Sequence, residues 1–270
     1  MLFFFQTIKK KFKMFIKRLG RFLKGKTIIF TKKLKKIFFQ NYLYLFLNNF
    51  NYLKNRVKRF RSSNKIVIDG GVNLLQGFEQ MFKKKIINKE FECYLFEPNP
   101  NCIPIIKNKL SNKNYSEMKI QVIQKALSDE NSIVNLRLET VPGEHRLQYT
   151  DEIVGYDTKL GGGSSILETE WVKPGWIDDK NFSDIQVEAL KTSKFILNSL
   201  SKGDYIVLKL DVEGAEFKII EDLSKNDILK YFNEAYIEWH PQNNSHYTNS
   251  DVKKFKKNLI RNGIFVGFWL

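Results

Sequence analysis

The chain has 270 residues, and its hydrophobic content of 43% is sufficient for one α/β domain of about 200 residues with an extension. Its two cysteines, Cys93 and Cys102, form no C-x-x-C motif, and no histidine pair stands at zinc spacing, which excludes a disulfide framework and a structural zinc site. We therefore expect a reducing compartment and a cytoplasmic protein. The formal net charge of +16 is unevenly distributed, because residues 1–68 hold 19 of the 45 basic residues and none of the 29 acidic residues.

Residues 1–64 are predicted to form a basic helical extension that precedes a domain at 65–270. Within it, apolar residues recur at steps of three and four, with lysines and arginines between them: Ile8, Phe12, Phe15, Leu19 and Phe22. Such a helix can lie on an anionic membrane surface, which is the partner that we predict and which would make the protein peripheral on a membrane. The alternatives are electrostatic binding of nucleic acid, which no base-reading motif supports, and packing of this N-terminal stripe on the domain or on a second subunit.

From Lys65 onward, strand-like and helix-like segments alternate, which predicts a doubly wound α/β domain with a parallel sheet and helices on both faces. Residues 139–184 form a long irregular stretch, and a loop of that length in a compact domain is usually a lid or a substrate wall. In chain order we predict strand 65–69, helix 74–87, strand 92–97, helix 100–110, strand 120–124, extended segment 132–138, strand 185–190, helix 192–201, strand 205–211, helix 215–222, helix 224–231, strand 235–239, helix 249–261 and strand 264–269.

Three apolar runs of this domain end in a carboxylate, at Asp69, Glu97 and Asp211. Long apolar runs are typical of strands that are buried on both faces, and the carboxyl ends of parallel strands open onto the crevice in which α/β sheets bind ligands. The sequence therefore predicts that the three acids share one rim.

The turn after the first run indicates the class of ligand. Gly70 and Gly71 follow Asp69 and allow the backbone to turn tightly beside a bound group. Glu97 lies 28 residues further along, where a carboxylate can accept hydrogen bonds from both hydroxyls of a ribose. The glycine pattern of a dinucleotide site is incomplete, and Asp69 would repel a pyrophosphate. An adenosyl cofactor that carries an amine suits this turn better.

These motifs resemble those of the FkbM family of S-adenosylmethionine-dependent methyltransferases, and the similarity runs from about Lys65 to the C-terminus. The resemblance implies a Rossmann-like class I methyltransferase sheet, S-adenosyl-L-methionine as the cofactor, and transfer of a methyl group to an oxygen. Together with a membrane-seeking extension, it suggests a sugar hydroxyl of a glycan or glycolipid as the acceptor. It rests on Asp69, Gly71 and Asn73, on Phe96 to Pro100, on Lys125 to Asp129, on Ser164 and Ser165, and above all on Lys209 to Glu216.

The resemblance and the strand ends together indicate the site residues. Those expected to bind the cofactor are Asp69, Gly70, Gly71, Asn73, Glu97, Asn99, Ala126, Ser128 and Asp211. For removal of the acceptor's proton the candidates are Asp211, Glu213, Glu238 and His240, and the ordinary pKa of a histidine lies near the working pH. Asp211, Glu213 and His240 could instead hold a divalent cation, although a cation is not the interpretation that we favour.

Leu75 departs from the family pattern, which usually has a glycine at this position. We expect its side chain to crowd the amino-acid end of the cofactor. This departure supports an alternative from another class, a non-catalytic Rossmann-like scaffold whose basic extension does the binding. An RNA methyltransferase is a further alternative, which the slightly acidic domain disfavours.

Overall fold

The computed structural model describes residues 28–111, 115–139, 164–166, 182–200, 204–244 and 246–268, with side chains from Gln40 onward except those of Glu139 and Phe182. The N-terminal stripe from Ile8 to Phe22 lies outside the described residues. So does most of the stretch that we predicted to be a lid or substrate wall, residues 140–163 and 167–181.

Six α-helices, two 3-10 turns and nine strands are present in the described part of the chain. The helices are α1 (Ile28–Arg61), α2 (Gln76–Lys83), α3 (Cys102–Leu110), α4 (Thr192–Ser199), α5 (Glu216–Lys225) and α6 (Asn249–Arg261). The strands are β1 (Lys65–Gly70), β2 (Phe91–Phe96), β3 (Lys119–Ile123), β4 (Ala126–Ser128), β5 (Ser132–Glu139), β6 (Phe182–Lys191), β7 (Tyr205–Leu210), β8 (Glu234–Ile237) and β9 (Phe265–Val266).

The central sheet has the order β3-β2-β1-β7-β8-β9, and all of its strands are parallel. The chain moves outward from β1 through β2 to β3, then returns to pair β7 with the other side of β1. The strand order therefore reverses between β1 and β7, and doubly wound sheets bind their ligands at such a reversal. The predicted α/β class, with its Rossmann-like parallel sheet and an N-terminal helix, is confirmed.

Successive residues of β1 and β7 point to opposite faces of the sheet, and each face is covered by helices. Ile68 and Leu208 pack in one core cluster with residues of α4, α5 and α6. Val67 and Val207 pack in a second cluster with residues of α2 and α3. All of the side chains of β7 are buried, as expected for a strand that lies between two layers of helices.

A second, smaller sheet, with the order β4-β6-β5, was not foreseen. Strand β5 pairs antiparallel over its full length with residues 182–189 of β6, and the short strand β4 pairs parallel with the end of β6. The prediction of a helix over 224–231 was wrong. Asp227 has a φ of 56°, which breaks a right-handed helix, so α5 ends at Lys225 and only a 3-10 turn follows at Leu229–Tyr231.

The C-terminal part of α1 packs on the sheet domain through asparagines. Asn48 donates to the carbonyl oxygen of Val266 and accepts from its N–H, so it pairs with β9 as a neighbouring strand would. Asn51 donates to the carbonyls of Ile260 and Ile264, and Asn55 to those of Asn233 and Gly263. The compact unit that contains the sheet accordingly begins at Asn48, whereas residues 1–47 form a unit of their own. Among the described helices, none has the length and hydropathy needed to cross a membrane.

Candidate active site

The turn after β1 brings the ends of β1 and β7 unusually close together. Gly71 has a φ of 76°, and a Cβ atom at this position would lie 1.8 Å from the carbonyl oxygen of Asp211. The N–H groups of Gly71 and Val72 both donate to the carbonyl of Phe96, which fixes the turn against the end of β2. Only glycine allows this approach, since any side chain would collide with fixed backbone.

Beneath this turn lies a buried ion pair between neighbouring strands. The ammonium of Lys209 is 3.0 Å from Oδ1 of Asp69, and both side chains are almost fully buried. Lys209 also donates to the carbonyl of Gly71 at 2.7 Å and lies 3.8 Å from Oδ2 of Asp211. Burial raises the pKa of Asp69 to about 6, although the charge of Lys209 partly opposes this shift. Asp69 therefore supports the turn from below and does not reach the rim where we expected it.

Glu97 is held at the rim with both carboxylate oxygens oriented. Oε2 accepts from the N–H of Asn73 at 2.7 Å, and Oε1 accepts from the N–H of Asn99 at 2.9 Å. The side chain is 6% exposed, and burial raises its pKa to about 7 against the opposing effect of these two N–H donors. Each oxygen retains a lone pair, so the carboxylate can accept two further hydrogen bonds from a ligand.

A cleft opens above these groups, with about 590 Å³ of space that protein atoms do not fill, part of which is open solvent. Glu97 lies on one side and Asp211 on the other, with the Gly71 turn between them. Its apolar lining suits a flat ring system, and its acids suit hydroxyls and an amine. The lining residues are Gly71, Asn73, Phe96, Glu97, Pro98, Ala126, Leu127, Leu136, Ser164, Ile166, Asp211, Val212 and Glu213.

Four carboxylates surround His240, which follows β8 beside the end of β7. Its Nδ1 is 2.9 Å from Oε1 of Glu216, and its Nε2 faces Glu213, Glu238 and Asp211 at 3.5, 3.6 and 4.0 Å. Desolvation alone would lower the pKa of His240, but hydrogen bonds to Glu216 and Glu238 and the charges of the acids raise it to about 11. His240 is therefore a cation at neutral pH.

The protonated state of His240 changes its predicted role. We considered it as a base because the ordinary pKa of histidine lies near the working pH, and that reason does not apply in this environment. Asp211 is the better proton acceptor because it lines the cleft, and burial raises its pKa above the ordinary value. One ligand atom from each of Asp211, Glu213 and His240 lies within 4.8 Å of the others, so these three residues could also hold a metal ion.

Glu216 organises this cluster from within the core. Its fully buried carboxylate accepts from the N–H groups of Val212 and Gly214 and bonds to His240. These bonds hold the segment after β7 in an unusual conformation, in which Glu213 has a φ of 53°. Ser165 donates to the backbone carbonyl of Glu213, and Asn243 donates to its carboxylate. Strained non-glycine residues cluster at functional sites, and the surrounding bonds compensate for the strain.

Comparison with known proteins identifies the family. A sequence model of the Methyltransferase FkbM domain matches residues 69–255. The chain belongs to the FkbM methyltransferase family. The crystal structure of methyltransferase FkbM from Methylobacillus flagellatus KT, determined at 2.20 Å resolution, matches with a TM-score of 0.33 and 11% sequence identity. The match covers 61% of this chain and 30% of the M. flagellatus chain. No curated protein shows a significant match.

Within this FkbM domain, the predicted site residues fall into two groups. Gly71, Asn73, Glu97, Ala126, Asp211 and Glu213 line the cleft. The remainder lie behind it or beside it: Asp69, Gly70, Asn99, Ser128, Glu238 and His240. Asn99 orients Glu97 through its backbone N–H, and the carbonyl of Ser128 accepts from Thr192.

The expectation that Leu75 crowds the cofactor was wrong. Its side chain is fully buried in the core cluster with Val72, Phe78 and Met81, and it does not line the cleft. Leu75 has a φ of 75°, a left-handed conformation that glycine adopts without strain and that costs another residue about 1 kcal/mol. This conformation gives a physical reason for the glycine that the family usually has here.

Proposed function

We propose that this protein is an S-adenosylmethionine-dependent O-methyltransferase that methylates a sugar hydroxyl of a glycan or glycolipid. The observation that carries the proposal is the placement of Glu97 and Asp211 on opposite sides of one cleft, across a turn where only glycine can stand. The family supports methyl transfer. The sugar acceptor is supported by the family resemblance together with the basic extension.

The described residues fit an adenosyl cofactor. Glu97 would accept hydrogen bonds from the two ribose hydroxyls, because its two oxygens are already oriented by Asn73 and Asn99. Phe96, Pro98 and Leu127 offer an apolar wall for the adenine. The absence of a side chain at Gly71 leaves the turn open beside the ligand. When bound, S-adenosylmethionine supplies a methyl group on a sulfonium, which is already activated for displacement.

The protein's own contribution to the reaction is to position the acceptor and remove its proton. Asp211 is the candidate base, since it faces the cleft and burial raises the pKa of its carboxyl. Lys209 stabilises the end of β7 from below, and the imidazolium of His240 offsets part of the negative charge of Glu213 and Glu238. Glu216 is a positioning residue, because it acts through His240 and through the backbone of Val212 and Gly214.

Binding and turnover measured on the same variants test this assignment. In calorimetric titrations the full-length protein should bind S-adenosylhomocysteine and not NAD. Glu97→Gln should weaken that binding by about 2 kcal/mol, the value of hydrogen bonds to a charged group. The matched control is Glu92→Gln on the same strand, where the carboxylate bonds to Tyr94 and lies outside the cleft lining. Equal binding by the two variants would contradict the role of Glu97.

Transfer of a radiolabelled methyl group to glycolipid acceptors tests the role of Asp211. Asp211→Asn should reduce the rate by about 100-fold or more at saturating cofactor, as expected for loss of a general base, in addition to any loss of cofactor affinity. Loss of activity in EDTA that Mg²⁺ or Mn²⁺ restores would instead assign Asp211, Glu213 and His240 to a cation. Failure of the protein to bind S-adenosylhomocysteine at all would favour the non-catalytic scaffold.

A further inference from the structure

Large apolar side chains are exposed mainly on one helix. Of the eleven exposed large hydrophobic residues in the described part of the chain, eight belong to α1. Five of these lie in the part of α1 that packs on the sheet domain. The ring of Tyr52 contacts that of Phe265, and the other four follow one another at spacings of three, four and three residues: Phe50, Leu53, Val57 and Phe60. Their exposed fractions are 42%, 65%, 52% and 91%. This regular spacing places them on a single face, which we call the α1 stripe.

The α1 stripe lies opposite the face by which the helix docks. At about 100° per residue, the centre of the α1 stripe lies roughly 150° around the helix axis from the docked residues Asn51 and Asn55, and Phe50 is the stripe residue nearest to them. The asparagine bonds to Ile260, Ile264, Asn233 and Gly263 fix the rotation of the helix about its axis. These hydrogen bonds therefore fix the α1 stripe at a defined place on the surface of the domain, where its side chains face the solvent.

Charge selects the kind of partner that can cover the stripe. Lys54, Arg56 and Arg61 are exposed on the same part of α1, and there is no acidic residue anywhere in residues 1–68. A second copy of this helix would bring two such basic faces together, and so would the lysine-rich segment 1–27 if it folded back. The positive charges of two basic faces in contact would repel each other, whereas an anionic surface would neutralise them.

We infer that the α1 stripe is a membrane-docking face, which inserts into the headgroup region of an anionic lipid bilayer while Lys54, Arg56 and Arg61 contact the lipid phosphates. Aromatic and aliphatic side chains on one face with flanking cations are the composition of a helix that lies in the plane of a membrane interface. This inference is independent of the proposed methyl transfer. It assigns membrane contact to a helix that is anchored on the catalytic domain, in addition to the N-terminal stripe that the sequence predicts.

Site-specific labelling of the full-length protein tests the inference residue by residue. Both native thiols, Cys93 and Cys102, are buried, so an environment-sensitive dye can be attached selectively to Leu53→Cys. The matched control is Leu197→Cys, which is exposed to 53% and lies on a different helix, α4. With phosphatidylserine-containing vesicles, the dye at residue 53 should shift to the blue and be quenched by brominated lipids, and the dye at residue 197 should not respond. Phosphatidylcholine vesicles should produce a much smaller change at residue 53.

A second pair of variants measures the contribution of the stripe to binding. Leu53→Ser with Phe60→Ser should weaken partitioning onto the anionic vesicles about tenfold, whereas Ile133→Ser with Phe268→Ser should leave it unchanged. All four positions are exposed, so folding should be preserved in both variants. Vesicle binding without a response at residue 53 would overturn the inference and leave the N-terminal segment as the sole contact. A blue shift that depends on protein concentration without vesicles would overturn it in favour of a second copy of the chain.

Discussion

Gly71 is the residue on which the shape of the cleft depends most directly. Its positive φ and the carbonyl of Asp211 leave no room for a Cβ atom, which would come within 1.8 Å of that oxygen. Gly71→Ala should therefore lower the free energy of unfolding by about 3 kcal/mol or more, because fixed backbone must move. Gly70→Ala is the control, since its Cβ would meet only the flexible side chains of Leu127, Leu210 and Val212. Chemical denaturation of both variants measures the difference, and equal losses would contradict this account.

The pKa of Glu97 should make cofactor affinity depend on pH. Burial raises this pKa to about 7, so the free protein carries a protonated Glu97 below that pH. A protonated carboxyl group offers one acceptor fewer to the ribose hydroxyls, and the ligand favours the charged form. The Kd for S-adenosylhomocysteine should therefore rise as pH falls below 7, by up to about tenfold per pH unit, and level off above it. Calorimetry of the wild type and of Glu97→Gln checks this, since the variant should lose most of the pH dependence near pH 7.

At the level of single residues, the sequence predicted the acids at the strand ends better than the groups that hold them. Glu97, Asp211 and Glu213 line one cleft because parallel strands end at one edge of a sheet. An apolar run that ends in an acid is therefore enough to predict that the acid lies at this edge. The role of Glu216 could not be read from the sequence, because it depends on contacts with His240 and with the backbone of Gly214. The charge of His240 could not be predicted from the sequence either, since it depends on four carboxylates that the fold brings together.

Among the elements, the docked part of α1 is held by buried hydrogen bonds of its asparagines, and the ring of Tyr52 adds a contact with Phe265. Asn55 is fully buried and satisfies the carbonyls of Asn233 and Gly263. Asn55→Ala should lower the free energy of unfolding by about 2–3 kcal/mol, because it leaves buried carbonyls without a donor. Asn49→Ala, at an exposed position of the same helix, should change it by less than about 0.5 kcal/mol. Thermal and chemical denaturation measure both, and a small loss in Asn55→Ala would show that water replaces its bonds.

The elements of the parallel sheet were predictable because each buried strand is a compact apolar run. The first strand, predicted at 65–69, forms at Lys65–Gly70, and the helix predicted at 249–261 has these bounds in the structure. The small sheet was not predictable in the same way. Its strand β4 has only three residues, and β5 pairs with β6 across a long intervening segment, so neither local pattern nor spacing indicates the partner.

At the scale of the whole molecule, charge and fold divide the chain at different places. The acidic residues begin at Asp69, and the family resemblance begins at about Lys65, so the sequence predicts an extension over residues 1–64. The compact unit begins earlier, at Asn48, because the last turns of α1 bond to the β9 edge and to the segments before it. Part of the basic extension is thus structurally part of the sheet domain, where it covers a strand edge that would otherwise be open.

Two truncations test whether the folded domain begins at residue 48 or at residue 64. Removal of residues 1–47 should leave a folded protein that binds S-adenosylhomocysteine with unchanged affinity, because the contacts of Asn48, Asn51 and Asn55 remain. Removal of residues 1–63 keeps every strand of the sheet, yet it deletes those contacts, exposes the β9 edge and leaves the carbonyls of Asn233 and Gly263 without their donor. We expect the longer truncation to unfold at a lower temperature and to aggregate through the exposed edge. Calorimetric scans and light scattering compare the two proteins, and equal stability would show that the domain is complete from residue 64 onward.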